Sequence, residues 1–188
     1  MSDRHIIVLT APSGAGKTTI ARHVMEELPH LSFSVSATTR EARPSETHGE
    51  DYFFLSTAEF RERVKSGEVL EYEEVYPGQL YGTLISEVEQ KARNGGVILD
   101  IDVRGAKNVK QVFGDDALVI FVQPPSMEVL RRRLEGRGTE TDRSMDERLR
   151  RAEMEVQQAD RFDAVVVNDD LDTAVEETLQ AIHQFLNG

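Results

Sequence analysis

Residues 6–18 read Ile6-Ile7-Val8-Leu9-Thr10-Ala11-Pro12-Ser13-Gly14-Ala15-Gly16-Lys17-Thr18, and the fold is decided by this stretch. Its first four residues are apolar without a break and mostly β-branched, the pattern of a short strand buried on both faces. Ala11 to Thr18 then fit the phosphate-loop pattern, with Ala11 at the position where the first glycine is usual. Glycines at 14 and 16 allow backbone N–H groups to turn inward around an anion. A helix opening at the lysine adds its own N-terminal N–H groups and dipole. In such a turn Lys17 reaches the β- and γ-phosphates of a nucleoside triphosphate, and the Thr18 hydroxyl ligates Mg²⁺. A strand-to-helix turn with an incidental lysine would share the same residues. The apolar strand before them and the helix pattern after them favour the phosphate loop.

Outward from this turn, strands and helices alternate. The first helix ends near Leu28-Pro29, and Phe33-Ser34-Val35-Ser36 alternates as a second short strand. A polar stretch from Thr38 to Glu50 reads as a functional loop, and Tyr52 to Leu55 as a strand. Ser56-Thr57-Ala58-Glu59 has capping-box spacing for a helix that stops near Gly67, and Val69 to Val75 returns as a strand. A helix is expected from about Ile85 to Asn94, a buried strand at Val97 to Leu99, a helix near Ala106 to Phe113 and a strand at Leu118 to Val122. Further helices follow at Ser126 to Leu134 and, opened by a second capping box at Ser144 to Glu147, towards Asp160. Ala164 to Val167 is the last strand, and Leu171 to Leu186 a closing helix with Val175, Leu179, Ile182 and Leu186 on one face. Alternation at this spacing predicts an α/β fold, a parallel sheet covered by helices, interrupted by a strand-rich insertion at about 34–83.

Composition narrows the chemistry. The 188 residues carry 22 Lys and Arg against 34 Asp and Glu, a formal net charge of −12, with 39% hydrophobic residues. Such a balance argues for a folded domain and against nucleic acid or an anionic membrane as partner, since those partners need a basic surface. With no cysteine, there are no disulfides, thiolate metal sites or thiol nucleophiles. The apolar run Ala117 to Val122 is far short of the roughly 20 residues of a membrane span, and the N-terminus lacks the apolar core of a signal peptide. A cytoplasmic location is the expectation; the oligomeric state is left open.

Two further groups stand out. Period two along Val97-Ile98-Leu99-Asp100-Ile101-Asp102 puts Asp100 and Asp102 on one face at the carboxyl end of a core strand, where they could hold Mg²⁺ or its waters, or cap a helix instead. Eight of the 17 arginines fall within residues 131–151, beside five acidic residues. Most would be solvated, but a planar guanidinium suits phosphate, so two or three of them could face one.

Taken together, the chain resembles the guanylate kinases over essentially its whole length. The resemblance is carried in order by residues 11–18, Phe33 to Arg40, Arg43-Pro44, Gly49 to Tyr52, Leu70-Glu71, Tyr81-Gly82-Thr83, Leu99 to Asp102, Arg133 to Gly138 and Val167 to Asp170. Arg104 departs from it, standing where glutamine is common, as does Leu80, where an aromatic residue often precedes Tyr81.

This resemblance implies a P-loop NTPase three-layer core (1–33, 84–125 and 151–188), a GMP-binding lobe (34–83) and a helical lid (126–150). It implies an ATP:GMP phosphotransferase of purine nucleotide metabolism and GMP recycling, extending to dGMP, with Mg²⁺. ATP would lie on Ala11, Pro12, Ser13, Gly14, Ala15, Gly16, Lys17 and Thr18, with Asn168 near the adenine. Ser36, Arg40, Arg43, Tyr52 and Tyr81 would hold the monophosphate, while Glu71, Thr83 and Ser36 read the guanine. Asp100 belongs to both the GMP set and the metal set, the latter with Thr18 and Asp102. Lys17, Arg133, Arg137 and Arg148 would act on the transferring phosphoryl group. By itself Glu71 is one acid on a strand that also carries Glu73 and Glu74, and reads as part of an exposed face. A binding module that kept this fold without catalysis, or a phosphate-loop kinase acting on a sugar phosphate, are the competing expectations.

Overall fold

A computed structural model describes residues 5–136 and 142–188. Strand β1 (Ile6–Thr10) is buried along its whole length and sits at the centre of a five-stranded parallel sheet. It pairs with β7 (Val97–Asp100) on one side and β8 (Ala117–Gln123) on the other; β2 (Ser32–Phe33) and β9 (Ala164–Val167) form the edges. The unbroken apolar runs follow from this placement, because both faces are covered. Ile7, Leu9, Ile98, Ile120 and Val166 face a cluster with helices α1 (Lys17–Glu27) and α7 (Leu171–Asn187). Their neighbours Ile6, Val8, Val97, Leu99 and Val119 face α3 (Ile85–Arg93) and α4 (Val103–Phe113). Period two thus sorts each strand between two helical layers, and three layers result.

A second sheet, in the order β4-β3-β6-β5, is built from β3 (Ala37–Thr38), β4 (Phe53–Phe54), β5 (Val69–Tyr76) and β6 (Gln79–Leu84). Helix α2 (Thr57–Lys65) starts at the expected capping box: the Ser56 hydroxyl accepts from the Glu59 N–H, and the Glu59 carboxylate accepts from the Ser56 N–H. It drives Phe60 into a separate cluster with Ala37, Leu80 and Leu84. Helices α5 (Met127–Glu135) and α6 (Asp142–Val156) share a third cluster, Leu130, Leu134, Met145, Leu149 and Ala152.

Several elements differ from the sequence expectation. The strand expected at Phe33 to Ser36 divides, since Phe33 ends an edge strand of the parallel sheet while Ala37 and Thr38, fully buried, belong to the second sheet. Strand β6 was not expected because Gly82 interrupts its pattern; a Cβ there would lie 2.5 Å from the Glu71 carbonyl oxygen and 3.1 Å from Phe60, so only glycine lets β5 and α2 approach. Helix α4 opens at Val103 rather than near Ala106, capped by Asp102. Helix α6 is already running at Asp142, so Ser144 lies within its first turn, and it ends at Val156 rather than Asp160. The buried face of α7 centres on Ala174, Thr178 and Ile182, with Val175, Leu179 and Leu186 at its margins.

Phe60 is fully buried in the small cluster of the second sheet. Phe60→Ala should therefore lower the unfolding free energy by about 3–5 kcal/mol, and Ser56→Ala by about 1 kcal/mol, both read from denaturant midpoints.

Candidate active site

The site begins where β1 ends. Gly14 (φ +90°) and Gly16 (φ +99°) adopt backbone conformations that L side chains rarely take, which turns residues 11–16 back on themselves. The closing hydrogen bond runs from the Ala15 N–H to the Pro12 carbonyl at 3.1 Å. Gly16 caps α1 without any side-chain hydrogen bond, and the first turn of that helix holds no acidic residue. The first turns of α2, α3, α5 and α7 each carry one. Helix α1 therefore presents its first N–H groups with neither a side-chain cap nor an acid in its own first turn, the condition for receiving an anion.

The register Leu9↔Asp100 brings the end of β7 beside the loop. Lys17 Nζ lies 2.6 Å from Asp100 Oδ1 and donates to the Ile101 carbonyl at 2.7 Å; the Thr18 hydroxyl donates to Asp100 Oδ2 at 2.7 Å. One carboxylate thus holds both the lysine and the threonine of the loop. Asp102 lies on the same cleft with both oxygens engaged: Oδ1 accepts from the Gly105 N–H at 2.8 Å, and Oδ2 from Arg151 at 3.1 Å. The helix-capping reading of Asp102 is the one the structure adopts. Thr18 Oγ1 and Asp100 Oδ2, which here bond to each other, are the two oxygens that could turn to a metal. No group of three or more acidic or histidine side chains that could cage a metal exists among the described residues. Two protein oxygens suit Mg²⁺, which ordinarily completes its shell with phosphate oxygens and water.

Asn168 and Arg133 stand behind the loop. Asn168 is buried and donates to the Ala15 carbonyl at 2.7 Å, and its amide fills the space that a Cβ on Gly16 would need. Arg133 donates to the Asn168 carbonyl at 2.9 Å and towards that of Ala15 at 3.5 Å. Both buttress the loop in this conformation. Arg148 lines the cleft of about 570 Å³ in front of it, with Lys17, Thr18, Asp100, Asp102 and Arg151. Arg137 lies outside the described residues.

A second cleft, of about 600 Å³, opens beside the first and shares Glu73, Asp102 and Arg151 with it. Glu71 lies in its wall and accepts from the Thr83 hydroxyl at 2.6 Å. Glu71 pairs with Thr83, and extending the Ala37↔Gly82 register by one residue sets Ser36, just before β3, level with Thr83. Burial pushes the Glu71 carboxyl up from its ordinary value, the Thr83 hydrogen bond opposes that, and the charges of Asp102 and Glu73 add to it.

A third group lies along β3, β4 and β6. Arg40 makes a two-pronged pair with Glu46, at 2.8 and 2.9 Å, and its guanidinium sits 5.4 Å from the centre of the Tyr52 ring and 5.6 Å from that of Phe54. Tyr52 and Tyr81 meet edge to face at 6.0 Å. The Arg43 N–H also donates to Glu46, at 2.7 Å. Hydrogen bonds from Arg40, then from the Arg43 backbone, hold the Glu46 carboxyl down at about 2. Nothing in the sequence singles out Glu46, or Arg151 and Glu155, which also line the first cleft. Only the arginine had a signal, as one of the eight clustered at 131–151.

A guanylate kinase family model matches residues 3–185. The chain belongs to the guanylate kinase family. It is 66% identical to the guanylate kinase of Salinibacter ruber over 187 residues, covering both chains fully, and 47% identical to that of Bacteroides fragilis over 96% of this chain and 89% of that one. Among solved structures, the guanylate kinase of Anaplasma phagocytophilum superposes with a TM-score of 0.70 at 32% identity, over 96% of this chain and 85% of that one. A gluconokinase from Sinorhizobium meliloti, at 15% identity and a TM-score of 0.54 over 100% and 96% of the two chains, shares the fold. The guanylate kinase likeness spans the core, the second sheet and the α5–α6 pair alike. No helix among the described residues is long and apolar enough to cross a membrane.

Because the folded chain holds the Glu71 proton more tightly than the unfolded one, its ionisation weakens folding. That cost is absent below the unfolded-chain pKa and complete above the raised folded value. Glu71→Gln, a mimic of the neutral acid, should match the wild type in denaturant stability in acid and exceed it progressively as pH rises through that value. A pH-independent gap between the two would contradict this account of the carboxyl.

Proposed function

We propose that the chain carries out the reaction of its family, ATP + GMP → ADP + GDP, with the two clefts as donor and acceptor sites. The observation that carries this reading is their adjacency. A phosphate loop with an open helix N-terminus faces one cleft, a half-buried carboxylate paired with a hydroxyl faces the other, and Asp102 and Arg151 line both. Residues 34–83 are then the GMP lobe and 126–150 the lid, around the three-layer core.

The chemistry of the second cleft supports guanine. An ionised Glu71 can accept from guanine N1–H and the exocyclic amine, with Ser36 and Thr83 in the same row for the remaining polar edge. Adenine offers a lone pair at N1 and no amine at C2, which would leave a desolvated carboxylate unpaired. Mismatches of that kind discriminate by about 10⁴-fold or more. Arg40 and Arg43, with Tyr52 and Tyr81, supply the cationic and hydroxyl groups for the monophosphate. Glu46 orients the guanidinium of Arg40.

The acceptor is already an anionic phosphate oxygen, so no general base is needed, and rate comes from positioning and charge neutralisation. The loop N–H groups, Lys17 and Arg148 hold the donor phosphates, and Asp100 keeps Lys17 and Thr18 aimed at that site. Mg²⁺, on Thr18 and Asp100, would neutralise charge on the phosphate oxygens. Arg133 acts through the loop it buttresses, and Arg137 completes the cationic set of the lid. A cytoplasmic location goes with this reading, since ATP and GMP are nucleotides of that compartment.

Removing the lysine that meets the donor phosphates should cost turnover heavily. In a coupled assay for ADP, Lys17→Ala should lose about 10²-fold or more in kcat while remaining folded by circular dichroism; normal turnover would sink the assignment. The same assay run with GMP, dGMP, AMP and a sugar phosphate should show turnover with the guanine nucleotides. Glu71→Gln should raise KM for GMP and narrow the preference over AMP, and an unchanged preference would mean that another residue reads the base.

A further inference from the structure

Arg151 belongs to none of the substrate sets above, yet it lines both clefts and the groove between α4 and α6. Its guanidinium is shared among three carboxylates on three different parts of the molecule. Nε donates to Glu155 at 2.9 Å, one turn on in α6; Nη2 donates to Asp102 at 3.1 Å, the cap of α4 in the core; Nη1 lies 3.8 Å from Glu73 on β5 of the lobe. These polar contacts add to apolar ones, since Leu70 of β5 lies in the core cluster beneath α3 and α4, and Val156 of α6 packs on Val103 and Phe121.

The geometry of α6 gives that position leverage. Arg148 lies three residues before Arg151 and Glu155 four after it, so all three share one helix face, and all three line the donor cleft. The adjoining face, Met145, Leu149 and Ala152, packs on α5. The rotation of α6 about its axis therefore sets where Arg148 points. Arg151 fixes that rotation against the core through Asp102 and against the lobe through Glu73. Helix-to-lobe attraction across 3.8 Å, on a half-exposed guanidinium, is modest by itself. Its effect on geometry is the larger one, because misplacement of a positioned group by about 1 Å can cost on the order of 10²-fold in rate.

We infer that Arg151 is a positioning residue for phosphoryl transfer: it ties the lid helix that carries Arg148 to the core at Asp102 and to the GMP lobe at Glu73, so that donor and acceptor sites are brought into one alignment. This rests on the assignment of the two clefts to ATP and GMP. A residue with that role contributes to turnover more than to the separate binding of either substrate, and its effect passes through Glu73.

The test is a double-variant cycle on the full chain with Arg151→Gln, Glu73→Gln and the pair, reading kcat, both KM values and the dissociation constant of GMP measured without ATP. Arg151→Gln should lower kcat about tenfold and Glu73→Gln about threefold, with GMP dissociation constants within about threefold of wild type. The pair should be no slower than Arg151→Gln alone. A kcat within twofold of wild type for Arg151→Gln, or effects of the two variants that simply multiply, would overturn the inference. Should Arg151→Gln fail to fold by circular dichroism, Glu73→Gln decides alone, and an unchanged kcat there would overturn it. Absence of GMP phosphorylation by the wild type would instead refute the assignment of the clefts.

Discussion

The pairing of Leu9 with Asp100 in adjacent parallel strands is the constraint on which the site depends. Parallel strands place all their carboxyl ends on one edge of the sheet, and a strand buried on both faces cannot slip its register without turning its apolar side chains into the wrong layer. The loop after β1 and the carboxylate at the end of β7 are therefore held side by side by the whole three-layer core. From that fixed point Asp100 reaches Lys17 with one oxygen and Thr18 with the other. Stability and chemistry share a cause here, because the burial that fixes the register also fixes the charge pattern.

What surrounds this rigid edge is assembled differently. The second sheet and the α5–α6 pair each carry a small apolar cluster of their own. Each meets the core through a few apolar side chains, Leu70 of β5 and Val156 of α6 among them, beside ion pairs such as Arg151 with Asp102. Clusters of four or five buried side chains make weaker cooperative units than a sheet packed on both faces, so motion is easiest at these junctions. That division suits a reaction between two polyanions, which must be admitted separately and then enclosed away from water.

Legibility in the sequence followed the range of the interactions. Residues 6–18 were readable because strand, turn, lysine and hydroxyl lie next to one another, and the capping box at Ser56 to Glu59 was readable for the same reason. Strand β6 was hidden because its meaning rests on Gly82 meeting Phe60 and Glu71, residues brought close only by the fold. Asp102 was readable as a cap or a ligand, and the choice depended on Gly105 and on an arginine 49 positions away. Glu71 was indistinguishable from Glu73 and Glu74 by pattern; resemblance alone marked it, and its pairing with Thr83 gives the physical reason. Arg40 was expected without its partner, since nothing periodic links it to Glu46.

Gly14 ties the phosphate loop to helix α5 in a way that reaches beyond either. Leu134 and Leu130 rest where its side chain would be: a Cβ there would lie 2.8 Å from Leu134 Cδ2 and 3.2 Å from Leu130 Cδ1. Three positions, two of them more than a hundred residues from the first, thus divide one fixed volume. Since the backbone at 14 admits only glycine comfortably, the freedom to vary falls on 130 and 134, and there it is narrow. A smaller side chain leaves a void directly beneath the nucleotide's seat, and a larger one presses the loop out of shape. Substitutions in α5 that never approach a phosphate would then register as altered nucleotide affinity, and related chains would be expected to change these two leucines together or not at all.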